Sequence, residues 1–202
     1  MKIIPKEQTN IGELVAALKG GATIVYPTET CYGLGCDATN EAAVSRIFDI
    51  KHRQRDKSLL VIVSDVAMIR EYVVWNEVMQ RLSDQYWPGP LSMVADTVPG
   101  VSLPSGIVHR DGTMAFRVTN HPIAAALSEG LGGPIVSTSA NISAEESPYD
   151  IERVLATFAG RMNQPDIVID AGPLPHQLPS TIVKVVGKNV IVLRQGEIIV
   201  RT

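Results

Sequence analysis

Short continuous apolar runs alternate along this chain with segments whose apolar residues recur at helical spacing. Each run is closed by proline, glycine or serine. Ala22-Thr23-Ile24-Val25-Tyr26 stops at Pro27, and Leu59 to Val63 lies between Ser58 and Ser64-Asp65. Runs of this kind read as strands buried on both faces, which require helices packed against them. Between them, Ile11, Leu14, Val15 and Leu18 form a stripe that predicts a helix over 11–19. Thr9 or Asn10 can cap it and Gly20-Gly21 stops it. A second helix is expected after Asn40, carrying Val44, Ile47 and Phe48 on one face and finishing near Lys51 to Arg53.

The pattern continues. Helices are expected over 66–72, 77–86 and 123–131, and strands over 91–95, 115–118 and 135–136. Ser147-Pro148-Tyr149-Asp150 predicts a helix start, with a capping serine, proline in the first turn and an acid three residues on. The tail offers a strand over 167–170 and a hairpin of 182–186 with 190–193 around Gly187-Lys188-Asn189. The expected class is α/β, a single domain over 1–202 with a twisted, mostly mixed β-sheet flanked by helices. The length suits one domain, with a core large enough to need no disulfide or metal.

Composition narrows the function. The net charge is −3, whereas a chain built chiefly to grip nucleic acid carries a basic balance. A compact phosphate ligand held by a local cationic patch fits better. Cys31 and Cys36 could form one disulfide or stand as small buried thiols, and they lack the partners of a structural zinc site. No apolar run approaches the ~20 residues that span a bilayer, so a cytoplasmic chain without membrane contact is expected.

Four fragments carry chemistry. Pro27-Thr28-Glu29-Thr30-Cys31-Tyr32-Gly33-Leu34-Gly35 sets hydroxyls, a carboxylate and glycines after a strand, suited to a loop that lets a ligand approach the backbone. It has neither the third glycine of a dinucleotide fingerprint nor the Gly-Lys-Ser/Thr of a P-loop, and a plain turn would explain it equally. Lys51-His52-Arg53-Gln54-Arg55-Asp56-Lys57 lies at a helix C-terminus, where cations complement the helix dipole. It also offers forked and point-charge donors to phosphate. Ser137-Thr138-Ser139-Ala140-Asn141 can donate to a carboxylate or phosphate, or simply make an Asx or Ser/Thr turn. Pro179-Ser180-Thr181 again puts hydroxyls at the entrance to a strand.

Together, Lys51-x-Arg53, Ser139-x-Asn141, the PTETCYGLG loop, Pro88-Gly89-Pro90, Arg117 before His121-Pro122, and Ser180-Thr181 resemble the YrdC/Sua5 family of threonylcarbamoyl-AMP synthases. The resemblance runs from about Gly21 to Arg194. It implies a concave, positively lined ligand face. It also implies a reaction of L-threonine, bicarbonate (or CO2) and ATP, with Mg2+ carried by ATP, giving threonylcarbamoyl-AMP and pyrophosphate. A separate transferase complex then passes the threonylcarbamoyl group to adenosine 37 of ANN-decoding tRNAs. The match places Thr30, Arg117, Ser137 and Ser180 or Thr181 around threonine. It places Arg53, Lys57, Thr113, Ser139, Asn141, Ser147 and Arg194 around ATP. Lys51, Arg53, Ser139 and Asn141 are the expected catalytic set, with no protein metal site.

The chain departs from the two-domain members of that family, which carry histidine where Ile62 stands and continue into a further domain. It looks like the short bacterial-type form. Two other readings remain: a carbamoyl-adenylate-forming enzyme related to hydrogenase maturation, and a module for tRNA or double-stranded RNA.

Overall fold

The computed structural model describes residues 1–201, which form six α-helices and eleven strands arranged in two mixed sheets. The five-stranded sheet runs β1 (Lys2–Pro5), β9 (Ile167–Asp170), β2 (Ile24–Pro27), β3 (Tyr32–Gly35), β8 (Thr138–Ser139). The six-stranded sheet runs β11 (Asn189–Arg194), β10 (Thr181–Val186), β5 (Leu91–Asp96), β6 (Thr113–Val118), β4 (Leu60–Val63), β7 (Ile135–Val136). The expected single sheet is thus divided. The division falls at Ser137, where the chain leaves β7 in one sheet and enters β8 in the other.

That crossing is hydrogen-bonded to both sheets. The Val136 amide donates to Cys36 O at 2.9 Å, Ser137 N to Leu60 O at 2.8 Å, and Ala140 N to Tyr32 O at 2.9 Å. Tyr26 Oη donates to Val136 O at 3.2 Å. The strands come close enough that a Cβ on Gly35 would stand 2.0 Å from Val136 O. Only glycine fits that approach. This explains why Tyr32-Gly33-Leu34-Gly35, which reads as a loop, is a fully buried strand: its glycines serve a close contact rather than a turn.

Helices cover the sheets through their apolar stripes. α1 (Ile11–Lys19) begins where Asn10 Oδ1 accepts from Glu13 N, and packs on α5 (Pro122–Leu131) through Leu14, Val15 and Leu18. Their shared core includes Ile24 and Tyr26 from one sheet and Ile62 and Ile135 from the other, so this helical pair straddles the seam. The larger core lies on the opposite side. There Val25, Val61, Val63 and Val168, alternating with the residues just named, meet α2 (Glu41–Lys51), α4 (Glu77–Tyr86) and α6 (Ile151–Phe158). α3 (Val66–Arg70) closes one edge.

α6 starts later than the sequence suggests. Its cap is Asp150, which accepts from Arg153 N, and not Ser147. Pro148 O is taken by Tyr32 N at 3.0 Å, which ties residues 147–149 to β3 before the helix can begin. Among the described residues no helix is long and apolar enough to cross a membrane.

Gly35→Ala is expected to cost ~4 kcal/mol or more, or to prevent folding, because its Cβ meets immovable backbone. Gly100→Ala, at φ +78° with nothing within 4 Å of the new Cβ, should cost only about 1–2 kcal/mol of backbone strain. Denaturant midpoints would compare the two, and equal losses would show that the seam can open.

Candidate active site

Two cavities meet at the seam. The smaller, about 280 Å3, lies between the sheets and is walled by Thr30, Arg117, Ser137, Ser180 and Arg194. The larger, about 580 Å3, opens beside the end of α2 and is walled by Lys51, Lys57, Asn141, Glu145 and Ser147. Arg53, Thr138 and Ser139 line both. Residues from six separated stretches of sequence therefore share one cleft.

Folding brings the third and second fragments into contact through Lys51. Its ammonium is 1% exposed and donates to Ser139 O at 2.5 Å, Asn141 O at 2.8 Å and Asn141 Oδ1 at 2.9 Å. All three N–H groups are thereby used. Asn141 Oδ1 also accepts from Ser139 Oγ at 2.6 Å, and Asn141 Nδ2 donates to Glu145 O at 2.6 Å. Lys51 thus clamps the 139–141 loop from beneath. Burial, and secondarily the nearby Arg53 charge, push its pKa down to about 7.

Arg53 follows the helix after His52, whose φ of 49° gives α2 a left-handed cap. Arg53 Nε donates to Lys57 O and Nη2 to Ser58 O, both at 3.0 Å, folding the loop around the guanidinium. Burial lowers its pKa and that of Arg194, the latter also through Arg117. Arg194 is held by Ser180, donating from Nε and Nη2 to Ser180 O at 3.1 and 2.7 Å. Arg55 points away, pairing with Asp49 at 2.7 Å.

Three guanidinium groups, Arg53, Arg117 and Arg194, face the smaller cavity, and no carboxylate lies in its wall. Arg117 is 4% exposed, and its one charged partner is Glu29, with Nε to Oε1 at 3.3 Å. A buried site of this kind takes an anion. Among the described residues no group of three or more His, Cys, Asp or Glu side chains gathers as a metal cage.

Not every expected residue arrives. Thr113 lines neither cavity; its Oγ1 donates to Asp111 Oδ1 at 2.7 Å, which turns it into the turn before β6. Thr181 is fully buried outside both, donating to Ile198 O at 2.6 Å and accepting from Gly196 N at 3.0 Å. Of the pair, Ser180 reaches the cavity. Arg194, expected among the ATP residues, lies in the smaller cavity with Ser180. Ile62 is fully buried opposite Arg117 in the β4–β6 register.

The sequence reading missed Thr28 and Glu145. Thr28 Oγ1 accepts from Thr30 N and Cys31 N, both at 3.2 Å, an Ser/Thr turn that the Pro-Thr after an apolar run could have signalled. Glu145 acts through its backbone oxygen, which no side-chain motif announces. Both cysteines are free, Cys31 beside the small cavity and Cys36 buried.

A two-sheet α/β fold with two adjoining cavities at its seam, both lined by cationic side chains, has the character of a site for small anionic ligands. The chain belongs to the Sua5/YciO/YrdC family, whose model, described as "Telomere recombination", matches residues 16–196. It is 36% identical over 152 residues to a threonylcarbamoyl-AMP synthase of Enterobacter sp. (strain 638), which covers 74% of this chain and 79% of that relative. It is 32% identical over 189 residues to the Bacillus subtilis threonylcarbamoyl-AMP synthase, covering 93% of this chain but 54% of the relative. P. abyssi Sua5, solved in complex with L-threonine, matches with a TM-score of 0.86 at 30% identity. That match covers 96% of this chain and 57% of the other, so this chain spans little more than half of those two proteins. E. coli YciO matches with a TM-score of 0.81 at 27% identity, covering 96% and 94%.

The depressed Lys51 pKa has a signed consequence. Between about pH 7 and the ordinary lysine value of 10.5 the unfolded chain holds the extra proton, so Lys51 makes stability rise with pH across that window. Relative to Lys51→Met, wild type should gain up to roughly 1.4 kcal/mol per pH unit there. Urea melts from pH 7 to 10 would check it; a pH-independent difference between the two proteins would refute it.

Proposed function

We propose that this chain is an L-threonylcarbamoyladenylate synthase, a nucleotidyltransferase that converts L-threonine, bicarbonate and ATP to threonylcarbamoyl-AMP and pyrophosphate. The observation that carries this reading is the pair of cationic cavities sharing Arg53, Thr138 and Ser139 as a common wall. One cavity suits an amino acid and the other a triphosphate, and the wall between them is where the two would react. The relatives' name and the L-threonine bound to P. abyssi Sua5 support the same assignment.

In this reading the threonine carboxylate meets Arg117, with Thr30, Ser137 and Ser180 around the rest of the molecule. The amine, carrying CO2 as a carbamate, turns toward Ser139. A carbamate oxygen attacks the α-phosphorus, forming the new O–P bond as the bond to pyrophosphate breaks. Such transfer relies on positioning and on charge set in advance to meet phosphate oxygens. Arg53 supplies that charge directly, with Lys57 and Ser147 further along the triphosphate. Lys51 has no free N–H, so it contributes its field and the fixed geometry of Ser139 and Asn141. Mg2+ would arrive with the ATP substrate and supply charge neutralisation at the phosphates; among the described residues no group of three or more carboxylate, His or Cys side chains gathers to hold a metal ion. The product would pass to a transferase that modifies tRNA.

Pyrophosphate release with each substrate omitted in turn tests the assignment: release is expected only with ATP, bicarbonate and threonine together. Release without the amino acid would overturn it. Arg53→Ala should lower turnover about 10²–10³-fold in a folded protein, the usual effect of removing one preorganised charge contact. Serine should remain a weak substrate, because one methyl group discriminates by only about 1–3 kcal/mol; equal specificity constants would show that the pocket ignores the methyl.

A further inference from the structure

Arg117 is buried yet almost unpartnered. Among the described residues no protein group accepts a hydrogen bond from its guanidinium, and its Nε has no partner of good geometry. Its position in β6, opposite Ile62, fixes the backbone but not the reach of a side chain with four rotatable bonds. Something must hold the guanidinium aimed at the cavity before a ligand arrives.

The neighbour in place to do so is Glu29, from the loop between β2 and β3. Its carboxylate is 8% exposed and does not wall either cavity. Oε1 lies 3.3 Å from Arg117 Nε. Oε2 accepts from Thr119 Oγ1 at 2.8 Å, and Thr119 Oγ1 in turn accepts from His121 N at 3.2 Å. Thr119 follows directly on the strand that carries Arg117, so one end of the carboxylate is tied to that strand and the other lies along the guanidinium. Glu29 Oε1 has no other partner. A buried carboxylate left half-satisfied calls for a functional explanation.

We propose that Glu29 is a positioning residue for substrate-carboxylate recognition. It holds the Nε edge of Arg117 from behind, so that the outer N–H groups face the smaller cavity and grip the α-carboxylate of the amino-acid substrate. Glu29 also balances one of the three guanidinium charges around a wall that has no carboxylate of its own. Without it, two mutually repelling cations, Arg117 and Arg194, would be left to separate, and Arg117 would be free to turn away. This inference rests on the synthase reading given above, but concerns only the amino-acid end of the cleft.

The test uses Glu29→Gln and Thr119→Val in the full chain, with threonine binding measured by calorimetry and steady-state rates by pyrophosphate release. Glu29→Gln keeps the shape but turns an acceptor into a possible donor facing Arg117. Its KM and dissociation constant for threonine are expected to rise about tenfold or more, the usual scale for disturbing a charged hydrogen bond. The KM for ATP should stay within about twofold, as should kcat at saturating threonine. Thr119→Val, which removes only the rear anchor, should give a smaller shift in the same direction and covers the case in which Glu29→Gln does not fold.

A second readout separates positioning from general structural support. Wild type should prefer threonine strongly over L-threoninamide, which lacks the carboxylate, and Glu29→Gln should lose most of that preference. Variants that bind threonine like wild type would overturn the proposal alone. Equal losses for threonine, threoninamide and ATP would also overturn it, by showing that Glu29 merely supports the fold. Wild type that neither binds threonine nor releases pyrophosphate would overturn the synthase reading and this inference together.

Discussion

The crossing of one short segment between two sheets is the constraint on which the rest of the molecule depends. Residues 135–141 pair with β4 in one sheet and with β3 in the other, and the change of sheet takes a single residue, Ser137. A crossing that abrupt needs the flanking strands almost in contact, which the missing Cβ of Gly35 permits. It also leaves hydroxyl and amide groups with no regular ladder to join. Of those groups, Thr138 and Ser139 line both cavities, Ser137 the smaller and Asn141 the larger. The binding cleft is therefore a consequence of how the sheets are joined.

The cationic groups have a matching origin. A helix ending beside this seam delivers Lys51 and Arg53 to the point where free backbone oxygens collect. Lys51 donates to Asn141 O and adds a second donor to Ser139 O, which also accepts from Asn141 N, at the cost of burying an ammonium. Removing it would take one donor from each of three acceptors at once, Asn141 Oδ1 included. This couples the two motifs across 90 residues of sequence: damage to either moves the other. A protein of net charge −3 can in this way keep a local cationic cavity, because Arg53, Arg117 and Arg194 converge on a wall that contains no carboxylate.

Much of this was legible in the sequence, for identifiable reasons. The helices over 11–19 and 77–86 have the expected bounds, the first set by its apolar stripe and Gly20-Gly21 and the second by the stop at Pro88-Gly89-Pro90; in the structure Asn10 and Asn76 cap them. Strands such as β7 and β9 were legible as apolar runs with clear stops. β3 was not, since Tyr-Gly-Leu-Gly has the composition of a turn and becomes a strand only by pairing with β2 and β8. The division into two sheets was hidden for the same reason, as it is decided by contacts between distant segments. Motif order brought the cleft residues together, but could not tell Ser180 from Thr181. Adjacent strand residues point to opposite sides, and the hydroxyl of Thr181 is consumed by the 196–198 backbone.

The wall shared by the two cavities bears on how the proposed chemistry would be ordered. Arg53, Thr138 and Ser139 can contact a ligand in either space, whereas Arg117 and Lys57 each see only one. An amino acid anchored by its carboxylate at Arg117 and a triphosphate anchored near Lys57 would approach the common wall from opposite ends. Neither anchor touches the atoms that react. Binding strength at the two ends is then spent on orientation at the middle, where a small misplacement costs much of the rate. The groups at the middle are themselves held rigid: Ser139 by Asn141 and Lys51, Arg53 by the 57–58 backbone. A cleft built this way would hold its two ligands at its extremities and align them at the wall they share.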